Sequence, residues 1–61
     1  MFDNEIKIGK ECIFAITVAW SEINYGVITD KRMKDGKNTY IIYNPDEDKY
    51  YEREAGWIRQ P

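Results

Sequence analysis

The chain has 61 residues, nine Lys and Arg against 11 Asp and Glu for a net charge of −2, one cysteine and no histidine. That length leaves room for one domain around one small core. The residue counts exclude an internal disulfide and a Cys/His zinc site, and they remove the usual agent of acid–base catalysis.

Taken in chain order, "NEIKIGKE" alternates Glu5, Ile6, Lys7 and Ile8, which predicts a short arm or opening strand over residues 1–8, with Gly9-Lys10 as a kink. "KECIFAITVAW" follows at period two: Cys12, Phe14, Ile16, Val18 and Trp20 share one face, and Ile13, Ala15, Thr17 and Ala19 share the other. A strand over 11–20 that is apolar on both faces is either covered twice or pairs with another subunit. "SEIN" supplies a turn, and "YGVITDKRM" reads as a second strand in which Gly26 fits a bulge or sharp bend.

Asp35-Gly36 then sits between two strand-like runs, the dipeptide that a tight hairpin turn requires. Thr39 to Tyr43 is β-branched or aromatic throughout and is the clearest strand. "NPDED" turns the chain through Asn44 and Pro45, "KYYER" is a fourth strand, "EAGW" is too short for more than one 3₁₀ turn, and "WIRQ" closes the chain as a short strand. With no room for a crossover helix, the predicted fold is all-β: a single domain over residues 1–61, an antiparallel meander of about five strands curled into a small barrel with one 3₁₀ turn near its C-terminus. The inward set expected for it is Phe14, Ile16, Val18, Val27, Ile28, Ile41, Trp57 and Ile58.

The order of a long first strand, a "YG" step, an Asp-Gly hairpin, "YIIYN", an aromatic strand and "REAGWI" resembles Src-homology-3-like small barrels, and among them the chromo-barrel and Tudor type. Tyr40, Ile41, Ile42 and Tyr43 match that family's aromatic-aliphatic strand, Tyr51 its next aromatic, Glu54-Ala55 its 3₁₀ turn and Ile58 its final aliphatic, so the resemblance covers Gly9 to Ile58. It implies a binding module rather than an enzyme and, at its fullest, a cage for a methylated ammonium at Tyr43 and Tyr51.

The residues themselves point the same way. Asp46, Glu47 and Asp48 are consecutive and do not converge, the segment lacks the glycine and terminal glutamate of a calcium loop, and the four glycines are isolated from one another. No catalytic site, metal or cofactor is predicted. Cys12 lies in an apolar run with nothing to activate it and reads as a small buried hydrophobe, which fits a reducing compartment. The nine-residue run "CIFAITVAW" falls short of the roughly 20 residues of a membrane helix, and no basic leader precedes it. These features predict a cytoplasmic protein without membrane contact; beginning at Met1, it reads as a complete small open reading frame of phage or mobile-element kind.

Three partner readings follow. Alternation leaves some tyrosines at the surface, and Trp20, Tyr25, Tyr43 and Tyr51 are expected to form an aromatic patch that docks a protein or peptide. The alternative is nucleic acid, held by Lys31, Arg32, Lys34 and Lys37 around the Asp-Gly hairpin with Tyr25 stacking, although Asp30 and Asp35 interleave with them. The third is a homo-oligomer formed through strand 11–20. The acidic segment from Asp46 to Glu54 makes the chain dipolar and suits a basic protein surface, which electrostatic attraction would speed to its site.

Overall fold

A computed structural model describes residues 1–17, 20 and 22–61. Val18, Ala19 and Ser21, within the predicted first strand and the turn after it, lie outside the described residues. Five strands follow one another, β1 (Glu11–Ala15), β2 (Ile23–Lys34), β3 (Lys37–Asn44), β4 (Lys49–Arg53) and β5 (Ile58–Arg59), with 3₁₀ turns at Asp3–Glu5 and Ala55–Trp57. They form one antiparallel sheet in the order β4-β3-β2-β1-β5, so β4 and β5 are its edges. The all-β class, the strand number and the 3₁₀ turn before the last strand are as predicted from the sequence. No helix among the described residues is long and apolar enough to cross a membrane.

The turns explain the meander. Lys34 pairs with Lys37, leaving Asp35 and Gly36 as a two-residue loop. Both have left-handed backbones, φ 52° and 76°, the combination whose twist matches that of the flanking strands. At the next turn the amides of Asp46 and Glu47 donate to Asn44 Oδ1 at 2.9 and 3.2 Å, and Asn44 Nδ2 donates to Glu47 Oε1 at 3.0 Å. Asn44 is buried, and this inward side chain shapes the backbone of the loop.

The sheet curls strongly enough for non-adjacent strands to meet. Phe14 on β1 lies 5.0 Å from Tyr51 on β4, ring centre to ring centre. Arg53 at the end of β4 donates from Nε to the carbonyl of Ala15 at 3.3 Å, while its guanidinium lies over Tyr51 and Trp57. Inside the curl, Cys12, Phe14, Ile28, Tyr40, Ile42, Ala55 and Ile58 form the buried cluster, with Ile6, Ile16 and Tyr51 packed against it.

Four sequence expectations change. The first strand ends at Ala15 and does not run to residue 20: the Trp20 amide donates to the Thr17 carbonyl, and Trp20 itself has a left-handed backbone at φ 56°, incompatible with extension there. Residues 1–8 contain a 3₁₀ turn instead of a strand, since Glu5 returns its carboxylate to the Phe2 amide at 2.9 Å. The bulge in β2 falls between Ile28 and Asp30, at Thr29, and Gly26 serves close packing instead. On β3 the inward residues are Tyr40 and Ile42, so Ile41 and its partner-strand neighbour Val27 face outward, half-buried; Trp57 is half-buried too.

At Gly26 a methyl group would stand 2.6 Å from Ile42 Cγ2 and 2.8 Å from the Tyr43 carbonyl. Gly26→Ala is expected to destabilise the fold by about 1–3 kcal/mol through overpacking; an unchanged urea midpoint would show that β2 has room to move.

Burial also sets a pH limit. Desolvation pushes the Cys12 thiol from 9.0 up to about 11, and desolvation with the Asp3 hydrogen bond pushes the Tyr40 hydroxyl from 10.0 up to about 12. The folded state therefore keeps both protons where the unfolded chain sheds them, so their contribution is intact below pH 9 and is lost as pH rises towards 11 and 12. Urea midpoints should fall across that window, and less so in Cys12→Ala/Tyr40→Phe.

Candidate docking surface

Alternation along the strands, fixed by the register, gives the sheet one face towards the core and one away from it. Tyr43 pairs with Val27 and with Tyr50, Tyr25 pairs with Ile13, and Ile13 pairs with Arg59. Directly opposed residues project on the same side, so β1, β2, β3 and β4 jointly present Ile13, Tyr25, Val27, Ile41, Tyr43 and Tyr50 on the outer face. Tyr50 is 67% and Tyr25 44% exposed. Tyr43 and Tyr50 lie 5.0 Å apart with their planes tilted by 49°. No second layer of described residues covers this band. Shallow depressions flank it, one of about 400 Å³ bordered by Glu11, Ile13, Tyr25, Arg59 and Pro61, and one of about 500 Å³ bordered by Asp30, Arg32, Ile41, Tyr50 and Glu52.

The hydroxyls of Tyr43 and Tyr51 are anchored. Tyr43 donates to Asp48 Oδ1 at 2.6 Å and Tyr51 to Glu47 Oε1 at 2.8 Å. A hydrogen bond with the neighbouring carboxylate is the first cause, with burial second, that holds Tyr25 (through Glu11), Tyr43 (through Asp48) and Tyr51 (through Glu47) above the usual phenol range. Fixed hydroxyls hold the rings of Tyr43 and Tyr51 in fixed planes.

The expected patch of Trp20, Tyr25, Tyr43 and Tyr51 is not brought together as one surface. Tyr25 and Tyr43 share the outer face. Tyr51 opposes the buried Ile42 and lies against Phe14 on the core side. Trp20 stands beyond the end of β1, its ring 4.0 Å from the Arg59 guanidinium carbon. Tyr50 takes the place that Tyr51 was expected to hold, a one-residue exchange that the strand's own alternation left open until the register was known.

The basic residues divide as well. By register Arg32, Lys34 and Lys37 project to the outer face, while Lys31 opposes Tyr40 on the other side. Lys34 Nζ is 3.7 Å from Glu52 Oε1, an exposed pair of small energetic weight. Among the described residues no group of three carboxylates or thiols is placed to hold a metal ion.

The two adjacent tyrosines of β4 should respond oppositely to truncation. Tyr50→Ala is expected within about 0.5 kcal/mol of the parent, whereas Tyr51→Ala, which strips Phe14 and Arg53 of a packed ring, should cost about 2 kcal/mol or more in denaturant unfolding. Equal losses would mean that both rings are structural.

No protein-family model, curated protein or solved structure matches this chain.

Proposed function

We propose that the chain is a non-catalytic docking module of Src-homology-3-like barrel type, working in the cytoplasm, and that its outer sheet face binds a protein partner. The barrel reading is supported by the long β2 shared between both halves of the curled sheet, and by the 3₁₀ turn Ala55–Trp57 leading to the buried Ile58. The docking reading rests above all on one observation: three tyrosines and three aliphatic residues from four strands lie side by side on a face that no second layer of described residues covers. Contiguous apolar and aromatic surface of this kind marks interaction sites, and tyrosine suits them because its ring excludes water while its hydroxyl stays solvated.

The discriminating experiment is affinity capture from lysate with and without nuclease, comparing the parent chain with a Tyr25→Ser/Tyr50→Ser variant of unchanged thermal unfolding. A protein retained by the parent after nuclease treatment and lost from the variant is the expected result. Retention by both chains would place the interaction elsewhere, and a signal that disappears with nuclease would transfer it to nucleic acid at Arg32, Lys34 and Lys37.

A further inference from the structure

The tyrosine band is bordered by carboxylates. Glu11 is opposed to Val27, Asp30 and Glu52 are each opposed to Ile41, and Asp48 accepts the Tyr43 hydroxyl at 2.6 Å. Asp48 is held in place by the hydroxyl of Tyr43 and keeps further lone pairs for other donors, and Glu11 borders the same depression as Tyr25. In the same area the described face carries Arg59, whose guanidinium is stacked on Trp20 at 4.0 Å, and Arg32, which borders the depression beside Ile41 and Tyr50. Lys34 and Lys37 lie farther towards the hairpin tip, with Lys34 beside Glu52.

We infer that the partner surface taken by this face is a basic protein segment, its Arg or Lys head groups meeting Glu11, Asp30 and Asp48 while its apolar side chains lie on Tyr25, Tyr43 and Tyr50. The inference rests on the docking reading above and adds the chemistry of the partner. Fixed carboxylates beside open aromatic rings favour guanidinium and ammonium groups twice, through charge-assisted hydrogen bonds and through attraction to the ring face. The same carboxylates repel phosphates, so a nucleic-acid backbone is disfavoured on this band.

The test is titration of the isotope-labelled full chain, observed by amide chemical shifts, with three synthetic peptides of equal length that alternate leucine with arginine, glutamine or glutamate. Only the arginine peptide should shift the amides of residues 11–13, 25–27, 41–43 and 48–52, with affinity falling as salt rises. Glu11→Gln/Asp48→Asn should weaken it about tenfold. Asparagine tolerates the left-handed backbone at position 48, φ 54°, so this variant keeps the turn, which an unchanged amide spectrum verifies. If the glutamine or glutamate peptide binds the same amides as tightly, or the double variant binds arginine unchanged, the basic-partner inference falls while the docking face stands. If the arginine peptide shifts only residues 45–48, or binds a Tyr43→Ser/Tyr50→Ser variant equally well, the face itself is overturned. Binding by none of the three overturns the inference.

Discussion

The absence of a side chain at Gly26 sets how closely the layers of this molecule approach. Gly26 pairs with Cys12 on β1, and the space where its Cβ would stand is taken by Ile42 of β3 and the ring edge of Phe14. Those two residues can therefore meet across β2, and their contact allows the sheet to curl until Phe14 also reaches Tyr51 and Arg53 reaches the carbonyl of Ala15. A bulkier residue would hold β1 and β3 apart and open the core along its length. The bulge at Thr29 then redirects the rest of β2, so that the hairpin tip projects past the core with every residue from Lys31 to Lys37 exposed.

A second theme is the pairing of tyrosine with carboxylate. Tyr40 donates to Asp3 at 2.9 Å, Tyr43 to Asp48 and Tyr51 to Glu47, and Tyr25 lies against Glu11. The consequences differ with burial. Tyr40 is enclosed, and its bond ties the N-terminal 3₁₀ turn over one end of the core. Tyr51 and Glu47 join Asn44 in fixing the β3–β4 loop. At Tyr43 the same chemistry orients a ring on the outer face of the sheet. One recurring side-chain pair thus closes the core at Tyr40 and fixes an outward ring at Tyr43.

The sequence made the strand order legible because its punctuation is chemical: Asp35-Gly36 and Asn44-Pro45 can do little else, and Thr39 to Tyr43 has only extended conformations that suit it. The face of each strand was harder to read. "YIIY" is symmetric with respect to inside and outside, and so is "YY" at 50–51, so either phase fills a core equally well on composition. The phase is decided by long-range partners, Tyr40 through Asp3 and Tyr51 through Phe14, which no local pattern contains. This is why Tyr43 was found as an outward residue while Ile41, on the same face, was expected inside. Trp20 differs for a related reason: apolar alternation continues through it, but the strand ends at Ala15 and the backbone at Trp20 is left-handed.

The register of the sheet also orders its assembly. β2 and β3 are joined through two residues whose backbones already suit the turn, so their pairing closes almost no loop. β1 and β5 pair at positions 13 and 59, 46 residues apart in a chain of 61, through a strand of two residues. Loop-closure entropy makes that pairing the last of the strand pairings to become favourable. Until it forms, Ile13 and Phe14 present an unpaired, apolar strand edge, the geometry that invites strand addition from another copy. The shortest strand in the protein is therefore also its guard against aggregation during folding.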